Sequence, residues 1–165
     1  MMKKSIIIYM TGIIILSSQS LKVDPMIYEI IDNISAGHLE EYVTKLANFG
    51  TRHTLSDTLS NTRGIGAARR WIKKEFEKIS KDCGGCLEVK EQWTQVKGNP
   101  KSRIKKDTWI VNIYAIKRGT KYPNRYVIMS GDIDSRISDP LDGKGDSPGA
   151  NDNATGMAGA LELAR

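Results

Sequence analysis

The sequence predicts an α/β fold. Helical apolar spacing occupies the first half of the chain, three strand-like runs follow it, and a small-residue helix comes after a long loop at the end of the third run. A loop at the carboxyl end of a strand, followed by a helix that packs back, is the front part of an open α/β sheet. With 165 residues there is room for one domain at most. Hydrophobic residues at 39% and charged residues at 27% exclude collagen-like, low-complexity and wholly disordered chains. The net charge of +6 falls to +4 without Lys3 and Lys4 of the expected signal, too weak a bias to point to nucleic acid. Two cysteines are too few for a disulfide-built mini-fold or a four-cysteine zinc site.

In chain order, Met1-Met2-Lys3-Lys4, the apolar run Ile6 to Leu16 and the small polar stretch Ser17 to Ser20 form a secretory signal. The apolar run is shorter than the roughly 20 residues needed to span a bilayer. Cleavage is expected near Ser20, leaving a secreted or periplasmic chain of residues 21–165 with no stable membrane insertion. A first helix is expected from Asp24 to Ile34, with Met26, Ile27, Ile30, Ile31 and Ile34 at helical spacing. Ser35 caps a second, carrying Leu39, Tyr42, Val43 and Leu46 on one face and ending before Gly50. A third runs from about Thr62 to Ser80 and buries Ile65, Ala68, Ile72, Phe76 and Ile79. Gly84-Gly85 stops it.

Cys83 and Cys86 flank that turn, and in an oxidising compartment such a pair closes a small disulfide. The rival reading, a redox dithiol, needs the pair between a strand and a helix, and here the order is reversed. Strands are expected over Leu87 to Val96, Thr108 to Lys117 and Arg125 to Ser130. The second has apolar residues on both faces and is expected to be covered on both. The third, Tyr126-Val127-Ile128-Met129, is a continuous apolar run of the kind found in central strands. Lys97, Lys101, Arg103, Lys105 and Lys106 lie between the first two strands; with no aromatic among them they are read as a solvated hairpin loop, not a phosphate site. Residues Asn153 to Arg165 form a helix of Ala and Gly that sits close against a sheet. The pattern stops at Arg165 without a cap, glycine or proline, so the domain is expected to be cut off there.

Six aspartates fall in the loop before that helix: Asp132, Asp134, Asp139, Asp142, Asp146 and Asp152. Carboxylates crowded at the end of a buried strand oppose one another's ionisation unless a cation compensates them, so a metal site is the first functional hypothesis. Asp139, Asp142 and Asp146 are read as turn residues. A calcium loop beginning at Asp132 fails at Arg136, Ile137 and Gly143, and a phosphate loop ending at Lys144 fails at Ser138. Gly64-Ile65-Gly66-Ala67-Ala68-Arg69 breaks the dinucleotide fingerprint at its third glycine and follows no strand.

Two segments, Tyr126 to Ser135 and Ser147 to Gly156, resemble the M28 family of zinc exopeptidases, in which a strand ends in His-x-Asp-Ser and a Pro-Gly-Ala-x-Asp segment opens the next helix. Phe49-Gly50-Thr51-Arg52-His53-Thr54 and the tail Leu161-Glu162-Leu163-Ala164-Arg165 are similar to that family as well. The resemblance covers roughly residues 36 to 165. It implies a three-layer α/β/α sandwich with a mixed, mostly parallel sheet, of which residues 21–165 are the N-terminal part, truncated after the helix that follows the bridging aspartate. It also implies two zinc ions, peptide or protein substrates, no nucleic acid, and aminopeptidase-type hydrolysis of terminal peptide bonds by a metal-activated water.

Residue by residue, the resemblance implies that Asp152 bridges the two ions, with a peptide to Asn153 that is often cis in the family. Asp134 orients a metal ligand and is the catalytic candidate. Asp132 stands where the family has its first histidine ligand, a change zinc tolerates because it accepts carboxylate oxygen. The general-base glutamate, its neighbouring ligand glutamate, a further aspartate and a final histidine belong downstream of Arg165, so these residues alone are not expected to be active. Glu40-Glu41 is read as surface, and His38 and His53 as structural. Two alternatives stay open: a zinc-dependent glutaminyl cyclase, and a non-catalytic member that keeps the fold for binding or scaffolding, which Asp132 favours. A third, a redox domain on Cys83 and Cys86, is of another class.

Overall fold

The structure, a computed structural model, describes residues 24–165. The signal expected over residues 1–20 lies outside the described residues. The chain divides into two units, Met1–Asn33 and Ile34–Arg165. In the first, helix α1 (Pro25–Asp32) begins with proline at a position where its missing N–H costs nothing, and the Asp24 carboxylate accepts the Met26 N–H at 3.0 Å. It ends two residues before Ile34, where the Asn33 side chain and backbone both turn back to the Glu29 carbonyl.

The second unit opens with α2 (Ala36–Ala47), capped by Ser35 Oγ on the His38 N–H at 3.2 Å. It buries Tyr42 and Leu46. Helix α3 (Gly64–Asp82) begins later than the apolar spacing alone suggests, because Asp57 and Ser60 fold residues 57–63 into turns. Asp57 accepts the Leu59 and Ser60 N–H groups, and Ser60 Oγ accepts those of Thr62 and Arg63. The first turn of α3 is capped from upstream by Ser56 Oγ on the Ile65 N–H at 2.8 Å. Its end is closed by Gly84 and Gly85, both at positive φ, inside a disulfide between Cys83 and Cys86.

The chain then forms an antiparallel hairpin of β1 (Glu88–Val96) and β2 (Thr108–Ile116), in register from Glu88↔Ile116 to Val96↔Thr108. Asp107 closes its loop, accepting the Gly98 N–H at 3.0 Å and pairing with Lys97 at 2.6 Å. Cross-strand partners share a face, which puts Val89, Glu91 and Trp93 on one side with Trp109, Val111, Ile113 and Ala115. Val89, Ile113 and Ala115 pack on the core. Asn112 and Tyr114 on the other face are exposed, so the double cover expected for β2 holds on one side only.

Helix α4 (Thr155–Ala164) follows a kinked turn, Ala150–Ala154. Its small residues allow close approach as expected, but chiefly to α2 and not to a sheet. Tyr42, Leu46, Ile72, Phe76, Met157 and Leu161 form the centre of this core.

The fold is therefore α/β, but the sheet among the described residues is a two-stranded antiparallel one. The third strand expected over Arg125 to Ser130 is not formed. A strand exists only through hydrogen bonds to a neighbour, and no described strand lies beside this run. Val127 and Ile128 are 99% and 86% exposed.

Candidate active site

The acidic loop is held by residues 49–54. Ser147 donates its N–H to the Gly50 carbonyl at 2.7 Å, and Thr51 and Ser147 form a parallel bridge. Arg52, 1% exposed, fastens both arms of the loop at once. Its Nε donates to the Ile133 carbonyl at 2.9 Å, between Asp132 and Asp134. Its two Nη atoms donate to Leu46 at 2.8 Å, Pro148 at 2.6 Å and Gly149 at 3.0 Å. Ser135 completes the frame: its Oγ accepts the Arg52 N–H at 3.0 Å and donates to the Ser147 carbonyl at 2.6 Å. Burial lowers the affinity of the Arg52 guanidinium for its proton, and the Asp134 carboxylate acts in the opposite sense.

Asp134 is exposed and accepts the Thr54 hydroxyl at 2.6 Å. Asp132 and Asp152 are exposed as well. Asp152 sits inside the kinked turn with φ −119° and ψ 95°, and the Asp152–Asn153 peptide is cis, as the resemblance implies. Gly149 enters this turn at φ +48°, the left-handed region that favours glycine.

The two arms meet at a glycine pair. A Cβ on Gly131 would stand 2.3 Å from the backbone carbon of Gly156, and one on Gly156 would strike Asn153 Oδ1. Absence of both side chains lets the Asp132 end of one segment lie against the first turn of α4, whose lead-in carries Asp152. Gly131→Ala is expected to lower stability by about 1–3 kcal/mol in urea unfolding, because backbone has to give way. An unchanged midpoint would show that this contact does not hold the arms.

The carboxylates expected to hold a metal are Asp132 and Asp152. Among the described residues no His, Cys, Asp or Glu joins them in a group of three able to hold an ion. Zinc takes four ligands, at least three of them from protein in known catalytic sites. The described residues thus do not make a zinc site by themselves. His53 is structural, as expected: its Nδ1 accepts the Leu55 N–H at 3.1 Å, which leaves Nε2 to donate to the Pro140 carbonyl at 3.1 Å. His38 lies 3.2 Å from buried Glu162, and Glu40 and Glu41 are exposed on α2. Asp139 and Asp142 serve turns, accepting N–H groups of Leu141 and of Lys144 and Gly145 respectively.

Sequence reasoning gave roles to the aspartates and none to Arg52, Thr54 and Ser135, which entered it only as parts of motifs. Their signal was faint, since Arg52 and Ser135 act through backbone groups far along the chain.

Residues 112–165 match the family model described as Peptidase family M28. Over 143 residues, 86% of the chain, the sequence is 44% identical to a probable zinc metalloprotease of Pyrenophora teres f. teres, covering 29% of that protein. It is 45% identical over 140 residues to a probable zinc metalloprotease of Leptosphaeria maculans, 84% of this chain and 32% of that one. A more distant similarity, 29% over 140 residues, is to a probable leucine aminopeptidase of Arthroderma otae, 85% of this chain and 32% of that one. The chain spans about three tenths of the length of these curated relatives. No solved structure matches it significantly.

Proposed function

We propose, from the match of residues 112–165 to peptidase family M28, that the chain is part of an exported, zinc-dependent exopeptidase of aminopeptidase type. Its substrates are peptides or proteins, and its fold is the three-layer α/β/α sandwich with a mostly parallel sheet. Asp152 and Asp132 would hold the metal, together with ligands outside these residues, and Asp134 would orient a ligand. The observation that carries this reading is the Gly131–Gly156 contact, which brings the Asp132 segment to the turn containing Asp152. Zinc supplies an activated water when bound; the part of this chain's own residues is to hold the carboxylates in place through Arg52, Ser135 and Thr54. The segment before Ser20 supports export.

The test is hydrolysis of aminoacyl-4-nitroanilides by the full product of the gene, with and without a chelator. Activity is expected to vanish with chelator and return with zinc. Asp134→Asn is expected to cost roughly 10–100-fold in kcat/KM, the range for groups that orient metal ligands, and Asp152→Asn more. Hydrolysis indifferent to chelator would defeat the proposal. A second reading, a non-catalytic binding protein, is favoured by the carboxylate at position 132 and predicts neither hydrolysis nor stoichiometric zinc.

A further inference from the structure

A cavity of about 770 Å³ lies between α3 and the hairpin face that carries Trp93 and Trp109. That volume is in the range of small-ligand sites. The two indoles meet edge-on, with centroids 6.2 Å apart, and Val111 lies beside them in the wall. Thr54, which holds Asp134, also lines the cavity, so it adjoins the candidate active site.

The charges in its wall are unequally engaged. Arg70 donates to the carbonyls of Thr58, Leu59 and Ser60. Glu91 is taken by Lys73 and by the Trp93 indole, and Asp107 by Lys97 and Gly98. Arg69 has no such partner: its Nε is buried without a hydrogen bond, and it takes part in no ion pair among the described residues. Asp134 acts on it through space, against the burial that lowers its proton affinity. Arg103, Lys105 and Lys106 add positive charge from the loop side. An enclosed donor such as this Nε is costly to leave without a partner, and a carboxylate matches the planar donors of a half-buried guanidinium in a bidentate pair. Arginine flanked by tryptophan is also the composition of binding hot spots.

We propose that this cavity binds the acidic side chain of a peptide, with Arg69 pairing its carboxylate and Trp93 and Trp109 packing its stem. The choice of a peptide as ligand rests on the proposed function; the site itself does not. The experiment is a titration of the ¹⁵N-labelled 165-residue chain, in chelator, with a blocked Gly-Glu-Gly peptide and its Gly-Gln-Gly counterpart. The Glu peptide is expected to move the Arg69 Nε–Hε resonance and the Trp93 and Trp109 indole resonances, with at least tenfold tighter binding than the Gln peptide. Arg69→Gln is expected to erase that difference and Arg69→Lys to keep part of it. Equal affinity for the two peptides, or equal shifts from inorganic phosphate, would overturn the assignment. Because the wild-type resonances carry the readout, a variant that fails to fold does not blunt the test. Binding is read without metal or turnover, so failure of the peptidase reading and failure of this site are separate outcomes.

Discussion

Replacing Arg52 with leucine is expected to remove a large share of the stability of the 34–165 unit. The substitution keeps much of the side-chain bulk and deletes every donor, so four carbonyls lose a bond together; those of Leu46 and Gly149 keep the N–H groups of Phe49 and Ala154, while those of Ile133 and Pro148 keep no partner among the described residues. An orphaned buried acceptor costs about 1–3 kcal/mol, and the Ile133 and Pro148 groups are partly buried. For the two orphaned carbonyls that range gives a loss of about 2–6 kcal/mol, a large fraction of the roughly 5–15 kcal/mol by which domains are stable. Arg52→Lys is expected to recover little, since an ammonium cannot reproduce a planar fork aimed in three directions. The check is urea unfolding followed by circular dichroism, together with hydrogen exchange at the Ser135 and Ser147 amides, which bond to Arg52 and Gly50. A shift below about 1 kcal/mol would mean that water replaces the guanidinium and that the loop is held by other contacts.

That prediction marks where sequence reasoning stops. Asp132, Asp134 and Asp152 were legible as candidates because their residue types and spacing form a motif. Arg52 was not, because its partners are backbone carbonyls as much as 97 positions away, and a carbonyl carries no sequence signal. Arg69 entered only as the end of a broken dinucleotide fingerprint. Its burial depends on a hairpin that begins nineteen positions later. The tryptophans lay within two expected strands and drew no reading of their own. In the register, Trp93 lies opposite Val111 and Trp109 opposite Gln95, which makes the indoles diagonal neighbours on one face. Pairing registers of that kind are set by turn length, and the 97–107 loop is too long to fix one from local rules.

Elements governed by local rules were read closely. Ser35, Asp24 and the Gly84-Gly85 pair set helix ends through bonds that span two to five residues, and the structure has them. The start of α3 is the exception, since its cap comes from Ser56, nine positions upstream. The run from Arg125 to Ser130 is the opposite case. Its composition speaks of burial, but a strand is a property of two segments, and composition cannot supply the second.

The exposure of that run leads to the other large expected effect. Tyr126, Val127, Ile128 and Met129 are 82%, 99%, 86% and 52% exposed. Four adjoining apolar residues of high strand propensity, with no charge and no proline among them, form a template for pairing between copies. The chain is therefore expected to associate at micromolar concentration. Val127→Lys is expected to raise the monomer fraction several-fold in size-exclusion chromatography. The side chain at 127 is almost wholly free, so the folded state loses little, within about 0.5 kcal/mol, and the melting temperature stays nearly constant. Ile128→Pro separates the two components of the effect. It removes a backbone donor while keeping the surface apolar, so it suppresses association only if copies pair edge to edge. Suppression by lysine alone assigns the association to apolar contact, and suppression by both assigns it to strand pairing. If neither variant changes the monomer fraction, residues 126–129 are not the surface that brings copies together, and the exposed face of the hairpin becomes the next place to set a charge.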